Sequence, residues 1–195
     1  MVGLGTGTAA CYGGQGDTWT FYEIDPLVAH MASDPRLFTY LRDCAPRIEV
    51  VLGDARLRLA DAPDGAYDVI LLDAFSSDAI PMHLLTREAL AVYLRKLAPG
   101  GIIAFHISNR YLDLQPPLAE LAREARLAGA VGRDVSDVAA KETLLARSTW
   151  VVLSRRAADL ATVTREPGWA PLAPGGVAAP WTDDWSDVWS VVRWH

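Results

Sequence analysis

Short apolar runs alternate along the chain with stretches whose apolar residues recur at helical spacing. Residues 18–23, 47–52, 67–73 and 101–108 read as strands. Val69-Ile70-Leu71-Leu72 is continuously apolar, as expected of a parallel strand covered on both faces. Helices are predicted over 26–32, 36–44, 55–61 and 84–97. In the last, Leu84, Leu85, Ala89, Leu90, Tyr93, Leu94 and Leu97 share one face, and Pro99-Gly100-Gly101 then turns the chain into the next strand. A helix over 117–127, closed by Gly129, precedes strands at 130–137 and 148–154. With no long helix between them, these two strands predict an antiparallel hairpin at one edge of the sheet. Residues 168–180 are rich in Pro, Gly and Ala and read as a loop. Residues 182–194 predict a short amphipathic helix capped by Thr182, with Asp183 and Asp184 in its first turn and Trp185, Val188, Trp189 and Val192 packed inward. The expected class is α/β: a doubly wound, mostly parallel sheet with that edge hairpin, in one domain over 1–195, with 166–195 packed on it as loop plus helix.

Composition adds exclusions. The 195 residues are 51% hydrophobic and 22% charged, and no apolar run has the length of a membrane span. The net charge of −6 argues against nucleic acid as a partner and is compatible with a cationic substrate. Cys11 and Cys44 have no metal-site spacing and are expected as reduced thiols in a cytoplasmic protein. No His/Cys/Asp/Glu cluster has metal-ligand spacing, so no metal is expected.

Four features fall at predicted strand ends, where open α/β sheets bind ligands. Gly3-Leu4-Gly5-Thr6-Gly7 is a turn that lets backbone approach a ligand closely, or is turn chemistry alone. Thr8 stands where a dinucleotide fingerprint would require a third small residue. Glu23 follows about 20 residues after the glycines, a spacing suited to accepting from two ribose hydroxyls. Asp25, before Pro26, fits better as an acid at a helix N-terminus. Asp54, in Gly53-Asp54-Ala55, either accepts from an adenine amino group or caps the next helix. Asp73 ends the most hydrophobic strand, where an acid points to function.

In this order, these features resemble the spermidine synthase family within the class I S-adenosylmethionine-dependent methyltransferase fold. The resemblance rests on residues 2–7, on Tyr22-Glu23-Ile24-Asp25 and on Gly53-Asp54-Ala55. Leu72-Asp73-Ala74-Phe75-Ser76-Ser77-Asp78-Ala79-Ile80-Pro81 with His83-Leu84-Leu85-Thr86 is its most specific part, and Thr182-Asp183-Asp184-Trp185-Ser186-Asp187 is similar to the acidic-aromatic tail. It implies a cofactor site of Gly3, Gly5, Gly7, Glu23, Asp25, Asp54, Ala55 and Asp73. There Glu23 would hold the ribose, Asp54 the adenine amino group, and the glycine turn would face the aminopropyl portion. Asp73 would assist attack by the acceptor amine, with Asp78 as second acid. The implied co-substrate is decarboxylated S-adenosylmethionine, or S-adenosylmethionine itself, without a metal. The implied acceptor is a small cationic amine. The resemblance also implies an N-terminally truncated domain, fused to membrane segments at the cytoplasmic face in a longer protein. A homodimer is left open.

The chemistry is intelligible from the residues. A protonated amine cannot attack; a carboxylate orients the ammonium and accepts its proton. The electrophile is a carbon beside a sulfonium, so the site mainly supplies alignment. Methyl transfer to a small molecule is the second reading, since sheet, turn and ribose acid serve both. A non-catalytic nucleoside- or polyamine-binding domain is the third. Trp181, Trp185 and Asp184 are candidates for the polyamine tail. His30, His83, His106, His195, Arg87, Arg95 and Lys96 read as packing, capping or solvated positions. Only Met1 and Val2 precede Gly3, so the chain is expected to begin inside the fold, and added apolar residues before Met1 are expected to raise the melting temperature.

Overall fold

The structure, a computed structural model, describes residues 1–44, 47–74, 81–133, 148–173, 176 and 179–193. It divides into two compact units, one of Met1–Pro63 with Leu72–Ala74 and one of Asp64–Leu71 with Phe75–His195.

In the first unit, β1 (Thr18–Glu23) and β2 (Arg47–Leu52) pair in parallel from Thr18 opposite Arg47 to Glu23 opposite Leu52. Both spans match the apolar pattern. Between them lie α1 (Pro26–Ser33) and the single-turn α2 (Tyr40–Asp43). Asp25 caps α1 by accepting from the Leu27 N–H at 2.8 Å, and Pro26 suits the first helical position because its missing N–H has no partner there to lose. Val2 is buried and bridges in parallel to Tyr22 and to Leu72. Leu4, Ala10, Phe21, Ala29 and Ala32 form the core, with Leu41, Cys44, Ile48 and Val50 packed around it. After β2, α3 (Ala55–Asp61) begins at Asp54, whose Oδ1 accepts from the Leu57 N–H at 3.0 Å.

The second unit is built on a five-stranded sheet in the order β3-β4-β6-β5-β7. These strands are β3 (Tyr67–Leu72), β4 (Leu97–His106), β5 (Ala128–Arg133), β6 (Thr149–Ser154) and β7 (Trp169–Pro171). The last residue of β3 counts with the first unit. The expected antiparallel pairing of β5 with β6 is present but not at the edge: β6 also runs antiparallel to β4, and β7 pairs with the far side of β5. The helices are α4 (Arg87–Lys96), α5 (Gln115–Glu124) and α6 (Ala161–Thr164). Tyr93, Ile103, Phe105, Leu118, Val151 and Leu153 are fully buried. The fold class is the expected α/β one, with parallel pairing around the glycine turn and the antiparallel hairpin beyond.

Several local expectations are corrected. Cys11 and Cys44 are not free thiols but a disulfide, with Cα atoms 4.4 Å apart. Tertiary packing places α2 against the turn that follows Gly7, a proximity that the 33-residue separation conceals. The helix expected over 36–44 shrinks to α2, because Asp34 accepts from the Arg36 N–H at 2.9 Å and ion-pairs with its guanidinium, holding a turn. α4 starts later than expected, at the Thr86 cap, after a 3₁₀ turn at Met82–Leu84. α5 ends before Gly129; Arg126 takes the left-handed conformation (φ 55) and Gly129 enters β5. The loop expected over 168–180 contains β7, which pairs with β5.

The C-terminal helix is replaced by irregular chain with one 3₁₀ turn, Trp189–Val191. Thr182 and Trp185 bond each other's backbone, Asp183 accepts from the Thr86 hydroxyl at 2.8 Å, and Asp187 accepts from the Ser190 N–H. These bonds compete with a helical ladder. Trp185 and Trp189 are exposed, whereas Trp181 and Val191 are buried. Residues 134–137 of the expected fifth strand lie outside the described residues. Among the described residues no helix is long and apolar enough to cross a membrane.

Candidate functional site

The first unit brings the glycine turn, the end of β1, the start of α3 and Asp73 together through backbone bonds. The Gly3 N–H donates to the Tyr22 carbonyl at 2.9 Å, and the Asp73 N–H to the Val2 carbonyl at 2.9 Å. The Gly53 N–H donates to the Glu23 carbonyl at 2.8 Å. Gly3, Gly5 and Gly7 all have positive φ. At Gly3 the constraint is steric as well, since a Cβ there would fall on the Asp73 carbonyl oxygen. The turn therefore lies directly on the backbone at Asp73, and only glycine permits that approach.

Glu23 is the fixed acid of the site. Its Oε2 accepts from the Leu4 N–H at 3.0 Å and its Oε1 from the Asp25 N–H at 2.9 Å. It is buried at 8% exposure. A carboxylate offers about four acceptor positions, so these two bonds orient the group and leave capacity for a ligand's hydroxyls. Asp25 and Asp54 act as helix caps, each through one oxygen. Ala55 is the first residue of α3, and Asp73 is half-buried just after β3. Asp78, expected as the second acid, lies outside the described residues.

Three participants carried no recognised role in the sequence reading. The Leu4 N–H orients Glu23, which requires the turn and β1 to meet in space. Ile24, set between two acids, is 69% exposed and presents apolar surface next to Glu23. An exposed apolar residue inside an acidic tripeptide was the available signal. Leu41 of α2 packs against Gly7, where a Cβ would come within 2.6 Å of Leu41 Cδ2. His106, expected as a core histidine, is half-buried, stacks on Trp150 at 4.5 Å and bonds Ser108 Oγ through Nε2. His83 lies exposed in the 3₁₀ turn before α4. Among the described residues no group of three or more His, Cys, Asp or Glu could hold a metal ion.

No family model matches the chain. A polyamine aminopropyltransferase of Vibrio vulnificus is 39% identical over 83 residues, 42% of this chain and 26% of that protein. Over those 83 residues the chain is similar to an aminopropyltransferase. A crystal structure of spermidine synthase from Thermotoga maritima superposes with a TM-score of 0.58 at 17% identity, covering 89% of this chain and 60% of that one. Human methyltransferase-like protein 13, solved in complex with SAH, gives 0.58 at 20% identity, covering 83% and 75%. These two likenesses establish the fold. The spermidine synthase-like match spans about a quarter of the length of the curated relatives, 26% of the bacterial protein and 25% of a spermine synthase from Arabidopsis thaliana.

Proposed function

We propose that the chain carries the donor-binding half of an aminopropyltransferase, a transferase acting on decarboxylated S-adenosylmethionine and a small cationic amine. The observation that carries this reading is Glu23, buried, oriented by the Leu4 and Asp25 N–H groups and set beside a glycine turn packed on Asp73. In this reading Glu23 accepts from the two ribose hydroxyls. Ile24 packs on the base, and Asp54 bonds the adenine amino group while capping α3. Gly3, Gly5 and Gly7 let the backbone approach the sulfonium end. One domain over 1–195, and a cytoplasmic setting, go with this reading.

The reaction moves one electron pair at each step. Asp73 accepts a proton from the acceptor ammonium, and the freed nitrogen lone pair attacks the aminopropyl carbon beside the sulfonium. The carbon–sulfur bond breaks and its electrons return to sulfur, releasing methylthioadenosine. Asp78 is proposed as a second acid for the cationic acceptor. Acids attract a polycation most strongly where water is scarce.

Calorimetric titration of the chain with S-adenosylmethionine, its decarboxylated form and methylthioadenosine tests the donor. The decarboxylated donor is expected to bind more tightly than S-adenosylmethionine, because acids close to the aminopropyl end disfavour a carboxylate. Equal or weaker binding overturns the aminopropyl reading and favours methyl transfer, which the fold also accommodates, as the likeness to the methyltransferase structure supports. With putrescine as acceptor, Asp73→Asn is expected to lose most of the turnover, by about 10²-fold or more. Full activity in that variant removes Asp73 from the chemistry. Donor binding without turnover on any amine supports a non-catalytic binding domain.

A further inference from the structure

We propose that the Cys11–Cys44 disulfide is a thiol-responsive brace of the nucleoside-binding turn, intact in the binding form and released by a dithiol. The bond lies within the first unit. Cys11 sits in the five-residue 3₁₀ turn Thr8–Tyr12, which starts directly after Gly7; Cys44 is the C-cap of α2. Leu41, earlier in α2, is the side chain packed against Gly7. The disulfide therefore clamps onto the glycine turn the element whose side chain supports it.

Besides the packing of Leu41 and Cys44 on the core that holds Leu4 and Ala10, no side-chain cap holds either element. α2 has four residues and no side-chain cap, and the 3₁₀ turn has five residues and none either. Elements this short do not persist on their own propensity. The turn itself is built on three positive-φ glycines, the residues that lose most freedom on ordering. Ala10 is fully buried, whereas Cys11 is exposed and Cys44 half-buried, so the turn-side residue is the more solvent-accessible of the pair.

Release follows ordinary thiol–disulfide exchange. One thiolate of a dithiol reductant attacks Cys11 Sγ, forming a mixed disulfide as the Cys11–Cys44 bond breaks, and the Cys44 thiolate takes a proton. The reductant's second thiol then displaces Cys11 as a thiol and closes its own disulfide. Two electrons and two protons pass to the protein, and the reductant leaves oxidised.

The binding readout rests on the proposed function; a second readout does not. The whole chain is prepared oxidised and after dithiothreitol, with free thiols counted in each state. Methylthioadenosine is titrated by calorimetry, and amide hydrogen exchange is followed by mass spectrometry. The oxidised chain is expected to show no free thiol and the reduced chain two. Reduction is expected to weaken methylthioadenosine binding at least about tenfold. It is also expected to accelerate exchange over residues 3–13 and 40–44 while that of 18–23 stays protected. C11S/C44S is expected to bind weakly and to ignore dithiothreitol. Two free thiols in the oxidised preparation, or equal binding in both states, overturns the proposal. Loss of protection throughout the first unit also overturns it, since the bond would then be a general staple. If neither state binds the nucleoside, the functional reading fails. The exchange pattern then decides the brace alone: local loosening supports it, and no change refutes it.

Discussion

Glu23 receives an N–H from Leu4 on one oxygen and from Asp25 on the other, so both donors depend on its being a carboxylate. In Glu23→Gln one of those oxygens becomes an NH2 group facing a donor. A buried donor left unmatched costs about 1–3 kcal/mol, which a urea midpoint measures against wild type. Gly3→Ala is expected to cost a comparable ~1–3 kcal/mol, because its Cβ meets the Asp73 carbonyl and its φ of 90° strains any side chain. The same denaturation experiment checks it. These residues were legible because their signals are local: glycines at fixed spacing and an acid at the end of an apolar strand. The Leu4 donor, the Leu41 support and the cysteine pair were not. Each depends on segments far apart in sequence meeting in space, and no spacing rule encodes that meeting.

At the level of elements, β1, β2 and α3 could be read to the residue, because an apolar pattern and its boundary residues agreed. Failures came where polar side chains bonded nearby backbone instead, as Asp34 does before α2 and Asp187 before the last 3₁₀ turn. At Thr86 one hydroxyl serves two elements. Thr86 Oγ1 caps α4 by accepting from the Ala89 N–H at 3.2 Å and donates to Asp183 at 2.8 Å. Thr86→Ala is expected to cost about 1–2 kcal/mol by thermal or urea unfolding, near the upper end for a cap. In the tail, the irregular structure reverses the ranking that a helix would give. Trp189→Ala, at a site 76% exposed, is expected to stay within about 0.5 kcal/mol. Val191→Ala, at a buried site, is expected to cost about 1.5 kcal/mol. A larger loss at Trp189 than at Val191 contradicts the observed packing.

For the molecule as a whole, one buried ionisable group ties stability to pH. The Met1 ammonium donates to the Thr20 carbonyl at 2.6 Å, and burial lowers its pKa from 8.0 to about 5. Between those values the unfolded chain binds the proton and the folded chain does not, so stability rises with pH across the window. It is expected to be lower at pH 5 than at pH 8, by up to about 4 kcal/mol from this group. Acetylating the Met1 nitrogen keeps an N–H for Thr20 and abolishes the titration. Unfolding midpoints of both forms across pH 5–8 should converge at the alkaline end and diverge at the acid end.

The position of β6 between β4 and β5 bears on synthesis at the ribosome. β4 ends at His106, yet its antiparallel partner begins at Thr149. The first unit, by contrast, needs nothing beyond Leu72–Ala74 for its described pairings. A chain emerging N-terminus first can therefore close the first unit early, while one side of β4 waits unpaired for some forty further residues to be made. During that interval the apolar edge carrying Ile103 and Phe105 is the stretch most open to mispairing with other nascent chains.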